Sequence, residues 1–422
     1  MSAAPASPAS PASPAHPPAS VADLAARGAA RIEWIRSRMP LLAEVRARFA
    51  DEQPFAGQRI GMSLHLEPKT AVLLETLHAG GAEIIATGNH GSTQDDIVAV
   101  LRQQGMTVHG SRADTLDDHH ANVAAVDAAR PSILLDNGAD LAALAAARID
   151  AAALAAGDPT GGTGIIGGTE ETTSGGLRLR AELAGRLPCP IIVINDSLLK
   201  AIGENKHSVG QSVVESIMRI TNLRIAGRRF LVAGYGWCGR GIAQYLRAMG
   251  GKVAVAEVDD LKAFEAAWDG YRVGGIVDLA SWAEVVITAT GQADVVTDEV
   301  FDALPDGAVL ANAGHFPWEI DVPALYARAV RRTTLDEAIE RIDLPGGRHV
   351  VLLAEGRMMN LAGREPKGNS IEAMDLGFLL QALSLERVVR GGAALIAGAQ
   401  PVPDDIERHI ARRMLAAMGA HR

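Results

Sequence analysis

One stretch, Phe230–Asp259 with the sequence FLVAGYGWCGRGIAQYLRAMGGKVAVAEVD, constrains the fold of this chain more than any other. Phe230 to Ala233 makes a short apolar strand, and Gly234-x-Gly236-x-x-Gly239 turns it into a helix. Ile242, Tyr245 and Leu246 give that helix an apolar face, Gly250-Gly251 ends it, and Val253 to Ala256 is the next strand. The glycines have separate tasks: a turn with positive φ, close approach of a pyrophosphate to the backbone, and close packing of helix on strand. Glu257 closes the second strand, where a carboxylate holds the ribose diol of NAD and repels a 2′-phosphate. The unit is read as an NAD-binding βαβ.

At 422 residues the chain has room for two or three domains. A formal charge of -10 sets it against nucleic acid or an anionic membrane as main partner. The cysteines are Cys189 and Cys238, so neither a disulfide framework nor a cysteine metal cluster is expected, and a reducing cytoplasm is the expected compartment. No apolar run reaches the ~18 residues that a membrane helix needs. Residues 1–20, a Pro/Ala/Ser repeat, lack the basic start and apolar core of a signal peptide and are read as a disordered tail, with His16 inert within it.

From Val21 the chain predicts a helix to Ile35 with Leu24, Ile32 and Ile35 buried, then an α/β alternation. Strands are predicted at Arg59–Leu64, Glu83–Ala86, Ser132–Leu135, Ile165-Ile166 and Ile191–Ile194, with helices at Thr70–Leu77 and from the Ser92–Asp95 cap to Arg102. Polar residues follow the strand ends: His65, Asn89, Asn137, Glu170-Glu171 and Asn195. Open parallel sheets bind ligands along that edge, so residues 21–205 are read as a substrate domain. After the βαβ unit, alternation continues through Gly274–Val277, Val285–Thr288 before Thr290, Ala308–Leu310 before Asn312–His315, and Val350–Leu353. The expected fold is α/β: two doubly wound Rossmann-like domains, the second spanning 206–362. The apolar helix Ile371–Leu385, within 363–399, crosses back to complete the first, and 400–422 is a short polar helix.

Seven stretches resemble the S-adenosyl-L-homocysteine hydrolase family: SLHLEPKTA (63–71), STQDD (92–96), EETTSGG (170–176), NDSLLKAIGEN (195–205), GYGWCGRG (234–241), NAGHFPWEID (312–321) and LAEGRMMN (353–360). The resemblance runs in order from residue 21 to about 395. It implies a purine nucleoside substrate whose 3′-OH is transiently oxidised by resident NAD, so that C4′ loses a proton and the 5′ substituent is eliminated. Carried over by position, Lys200 is the base near the 3′-OH, which requires a lowered pKa. Glu171 and Thr172 hold the ribose hydroxyls, and Glu204 stands where the family has an aspartate orienting the 3′-OH. His65 and His315 flank the 5′ carbon as proton shuttles. Thr172, Thr173, Asn205, Gly234, Gly236, Gly239, Glu257, Thr290, Asn312 and Asn360 are the implied cofactor contacts. A homo-oligomer, tetramer or dimer, is implied by the resemblance alone.

Departures from the family pattern mark out the substrate end. Asn137 replaces a proton-transferring aspartate, and an amide exchanges no proton at neutral pH. Asn369 takes the place of the histidine in a Gly-His-Pro gate, within Arg364–Ser370. Glu67 and Lys69 stand where threonine and glutamate contact adenine; Lys69 only donates and suits a 6-oxo purine better, although microbial relatives of the shorter type share the swap. The chain also stops at Arg422, short of a C-terminal tail that reaches a neighbour's NAD site in many members, which implies a more loosely held cofactor. Asn137 and Asn369 favour a nucleoside dehydratase that eliminates water, as in angustmycin-type nucleoside-antibiotic biosynthesis. The alternatives are an S-adenosyl- or S-inosyl-L-homocysteine hydrolase and a non-catalytic NAD-binding protein.

Overall fold

In a computed structural model, residues 20–315, 317–391 and 395–420 are described. The expectation for the tail, His16 included, lies outside them except at Ser20, whose hydroxyl caps the helix Val21–Arg36 by accepting from Asp23 N. That helix buries Ala25, Gly28 and Ile32, and the helix Pro40–Glu52 follows it.

The first sheet begins with β1 (Arg59–Ser63), β2 (Glu83–Thr87), β3 (Thr107–His109), β4 (Ile133–Asp136), β5 (Gly167–Glu170) and β6 (Pro190–Val193). All its pairings are parallel, and β4 and β5 are buried along their whole length, as strands covered on both faces must be. The strand expected at Ile165-Ile166 is displaced: both residues precede β5. A Cβ on Gly168 would stand 2.4 Å from Leu134 O, so glycine is what lets β5 lie against β4. The isoleucines carry the β propensity and Ile165 is buried, but they lead into the strand.

The second sheet takes β7 (Arg229–Ala233), β8 (Lys252–Ala256), β9 (Arg272–Val273), β10 (Val285–Thr288), β11 (Ala308–Asn312), β12 (Arg331–Asp336), β13 (Ile339–Asp343) and β14 (His349–Leu353). Gly274–Val277 is not a strand; Gly275 instead caps the short helix Ile276–Ala280. The antiparallel ribbon β12–β13 extends the sheet beyond β14 and was not evident from the sequence.

The helix Ile371–Arg390 then returns to the first sheet, where Met374, Leu376, Phe378, Leu379, Leu380 and Leu385 join the apolar cluster of Ile60, Met62, Leu73 and Leu77. Burying each such side chain stabilises the fold by roughly 1.5–3 kcal/mol. Residues from 400 onward are not one helix. β15 (Gly398–Pro401) pairs in parallel with β6, and the helix Asp404–Ala417 buries Ile406 and Ile410 in the same cluster.

Strand order places the site. The first sheet runs β15-β6-β5-β4-β1-β2-β3 and the second β12-β13-β14-β11-β10-β7-β8-β9. Direction therefore reverses between β1 and β4, and again between β7 and β10. Open α/β sheets bind ligands outside the C-terminal ends of the strands at such a reversal. Those ends lead into His65 and Asn137 in one sheet and into Gly234 and Thr290 in the other. No helix of the described residues is long and apolar enough to cross a membrane.

Candidate active site

Lys200 opens a π-helix, Lys200–Ser208, that runs on into the α-helix Val209–Thr221. Such wide turns concentrate at functional sites. Its buried ammonium is 2.7 Å from Glu204 Oε2 and pairs with Glu171 Oε1. Gln381 of the returning helix donates to Glu171 Oε2, and Asn369 Nδ2 donates to Glu204 Oε1 at 3.2 Å. Burial disfavours the Lys200 ammonium, but Glu171 and Glu204 outweigh it and raise the pKa above the ordinary lysine value. The expected lowering is thus corrected: two carboxylates keep this lysine charged. Burial also raises the Glu204 pKa, with Lys200 opposing, so Glu204 is the group of the cluster readied to accept a proton.

His65, after β1, and His315, after β11, meet across the two sheets with ring centroids 5.9 Å apart. Burial, then His315, Lys200 and Lys69, push His65 down to about 3; burial, partly offset by Asp140, pushes His315 down to about 4. Both rings are therefore neutral at pH 7. His65 Nδ1 is 2.7 Å from Ser92 Oγ. Asn137 is buried, and its Oδ1 has no hydrogen-bond partner among the described residues.

The turn bearing Asn137 is fixed by two carboxylates that the sequence reading left without a role. Asp136 accepts from Asn137 N at 3.0 Å and Ala142 N at 2.9 Å, and Glu170 accepts from Gly138 N and Ala139 N. Burial raises the pKa of both, and for Asp136 the charge of Glu170 adds to it. Asp140 was also missed; Arg178 holds it at 2.7 Å and donates to Gly138 O, beside the same turn. The polar run DNGAD carried the signal, but Glu170 lies on β5 and Arg178 on the helix Thr173–Ala181.

The cofactor side has the geometry NAD requires. Gly234 has φ +97°, a Cβ on Gly239 would be 2.0 Å from Gly234 O, and a Cβ on Gly236 would meet nothing within 4 Å. The turn is therefore packed at its base and open where a pyrophosphate approaches. Glu257 Oε2 accepts from Tyr235 N at 2.6 Å, which brings the carboxylate to the turn. Asn360 Nδ2 donates to Ser212 Oγ at 3.1 Å, while its buried Oδ1 has no hydrogen-bond partner among the described residues and can accept from a ligand donor. Asn205 donates to Asn195, and Asn195 to Thr173, each at 2.9 Å, which brings Thr173 and Asn205 together.

Other implied contacts are occupied within the protein. The Thr172 hydroxyl donates to Glu170 and caps the helix Thr173–Ala181 by accepting from Gly175 N. Asn312 Oδ1 accepts from Thr288 Oγ1 and Gly314 N, and its Nδ2 donates to Gly356 O. Thr290 donates through N and Oγ1 to Glu319, a buried carboxylate that also accepts from Gly291 N. Glu319 sits in the quoted run NAGHFPWEID, yet its role appears only once the loops after β10 and β11 meet.

At the far edge Glu67 and Lys69 are both buried and 2.8 Å apart, and Lys69 also donates to Lys367 O at 2.7 Å. The segment carrying Asn369 is therefore tied to this pair. Lys69 has three N–H bonds, of which these contacts use two.

Two family models match the chain. Residues 19–161 match the model of S-adenosyl-L-homocysteine hydrolase, and residues 205–365 match that of its NAD-binding domain. The S-inosyl-L-homocysteine hydrolase of Methanopyrus kandleri is 42% identical over 405 residues, covering 94% of this chain and 92% of that protein. The protein of the same name from Methanothermobacter thermautotrophicus is 42% identical over 398 residues, 94% of this chain and 93% of its own. The adenosylhomocysteinase of Archaeoglobus fulgidus is 40% identical over 394 residues, 93% of this chain and 94% of its own. With both halves matched and relatives of this identity spanning nearly its whole length, the chain belongs to the S-adenosyl-L-homocysteine hydrolase family and takes NAD as its cofactor.

Proposed function

We propose that this enzyme hydrolyses the thioether of an S-nucleosyl-L-homocysteine whose base is a 6-oxo purine. The observation that carries the reaction is the buried Lys200–Glu171–Glu204 cluster on the substrate sheet, with a neutral histidine pair closing the site from both sheets. Names of the relatives favour hydrolysis over the dehydratase expectation.

NAD, when bound, would accept the hydride of the 3′ carbon and return it once water has added, so the reaction is redox-neutral overall. Glu171 accepts a hydrogen bond from the diol, and the 3′-OH proton goes to the Lys200–Glu204 pair, since Lys200 alone is already charged. With the 3′ carbon a ketone, the C4′ proton is acidic and goes to the second carboxylate of the cluster, Glu171, and both protons return to the substrate when the ketone is reduced again. The thiolate leaves C5′, and water adds in its place. Asn137 can hydrogen-bond there but exchanges no proton, so proton traffic falls on the histidines. At the base, the free N–H of Lys69 matches the O6 acceptor of a 6-oxo purine, while Glu67 accepts from its N1–H.

The test compares S-inosyl- and S-adenosyl-L-homocysteine as substrates of the cofactor-loaded protein and its Lys69→Met variant. The parent should favour the inosyl thioether, and the variant should lose roughly tenfold or more on it, the scale of one buried charged hydrogen bond. Preference for the adenosyl substrate in both proteins would refute the base assignment. Loss of water from a free nucleoside, with no thiol released from either thioether, would establish a dehydratase instead.

A further inference from the structure

Ser92 lies in the loop after β2, buried beside His65, and the chemistry above gives it no part. Its Oγ is 2.9 Å from Asn89 O and 2.7 Å from His65 Nδ1. A carbonyl oxygen only accepts, so the single hydroxyl hydrogen of Ser92 goes to Asn89 O. His65 must then be the donor in the second contact. The proton of the neutral ring sits on Nδ1, and Nε2 keeps its lone pair.

The loop leaves Ser92 little freedom to do otherwise. Ser92 N also donates to Asn89 O, at 3.1 Å, and Gln94 N donates to Leu66 O at 2.9 Å, next to His65 itself. A Cβ on Gly88 would fall 2.0 Å from Thr93 Oγ1, so the two ends of the loop are packed together. The acceptor carbonyl, the hydroxyl and the imidazole form one fixed line.

We propose that Ser92 is a positioning residue that locks His65 in its Nδ1–H tautomer, so that His65 Nε2 takes the proton of the water adding at C5′. This rests on the hydrolase reading. In the step, a water O–H bond breaks and its proton goes to Nε2, while the oxygen bonds C5′. The C4′–C5′ π pair moves to C4′, in conjugation with the 3′ carbonyl. Nε2 then passes the proton to the departed thiolate, and Nδ1–H stays on Ser92 throughout. A family aspartate at position 137 would share this duty; an asparagine cannot, which leaves the tautomer of His65 to decide it. Burial and the facing His315, Lys69 and Lys200 hold imidazolium weakly, so a proton gained is readily passed on.

Nitrogen-15 NMR of histidine-labelled holoenzyme reads the tautomer directly, and should show Nδ1 of His65 protonated in the parent and the mixture shifting toward Nε2–H in Ser92→Ala. In D2O with the thioether substrate, Ser92→Ala should slow water addition and thiol release roughly a hundredfold, the scale of a lost general base. C4′ deuterium exchange and KM should stay within about twofold, and Ser92→Thr should restore most of the rate. An Nε2–H tautomer in the parent, or water addition within threefold of the parent in Ser92→Ala, would overturn the proposal. So would parallel loss of exchange and addition that threonine does not rescue, since that is the mark of a merely structural serine. If the parent exchanges no C4′ proton and releases no thiol, the hydrolase reading itself fails, whatever the tautomer.

Discussion

The buried histidine pair makes stability depend on acid in a calculable way. His65 and His315 titrate at about 3 and about 4 in the folded protein, below the ordinary value of 6.5. Their contribution is fully present above pH 6.5 and is lost as pH falls toward 4 and then 3, because the unfolded chain binds protons that the folded chain refuses. Between pH 7 and pH 5 the loss is about 2 kcal/mol for each histidine. The carboxylates Asp136, Glu170 and Glu204, with raised pKa values, act in the opposite sense, since the folded form takes up their protons first. The raw pH profile mixes these effects, and a difference between proteins separates them. Urea unfolding of the parent, His65→Gln and His315→Gln at pH 7, 6 and 5 provides that difference. Each variant is expected to be less stable than the parent at pH 7, with the gap closing by about 2 kcal/mol at pH 5. A gap that stays constant over that range would mean the histidines are not held neutral, and would refute both the burial argument and the neutral-base chemistry built on it.

Two further outcomes follow from the geometry. Gly239→Ala puts a methyl group 2.0 Å from Gly234 O, so the purified variant should carry little bound NAD while its circular dichroism matches the parent; full retention of NAD would show that the turn yields. In a double-mutant cycle on kcat/KM with Glu204→Gln and Asn369→Ala, the 3.2 Å bond between them should appear as a coupling of roughly 0.5–3 kcal/mol, and strictly additive losses would show that the crossing segment does not position Glu204.

The sequence made the sheets legible where the signal was local. Apolar runs such as Val285–Thr288, and the polar residues that follow them, named the strand ends and hence His65, Asn137 and the glycine turn. It misled where a contact in three dimensions overrules propensity: β5 is glycine-rich because Leu134 O lies against it, and no isoleucine would fit there. The ionisation of Lys200 was misread for a related reason. Glu204 is one turn away, but Glu171 lies on a different strand-end loop, and Asn369 and Gln381, which hold the two carboxylates, come from the returning segment. Thr172 and Asn312 show the converse limit, since a motif position implies a ligand contact but says nothing of the internal bonds that also engage it.

The charge states also bear on what leaves C5′. In the proposed reading, the group at the 3′ end is a lysine ammonium among two carboxylates, a cluster with capacity to accept a proton. In the same reading, two neutral imidazoles and an amide face the 5′ end and offer lone pairs and hydrogen bonds but no stored acid. A thiolate, whose conjugate acid has a pKa of about 8.5, departs without prior protonation, and the water that follows meets a base in the correct state. Hydroxide is a far poorer leaving group, so expelling it from a free nucleoside calls for a protonated acid at the outset. Groups titrating at about 3 and about 4 are almost wholly deprotonated at neutral pH. Replacing the family aspartate with Asn137 removes a proton carrier without adding an acid. The substitution that first suggested dehydration therefore leaves the 5′ end better prepared to add water than to remove it.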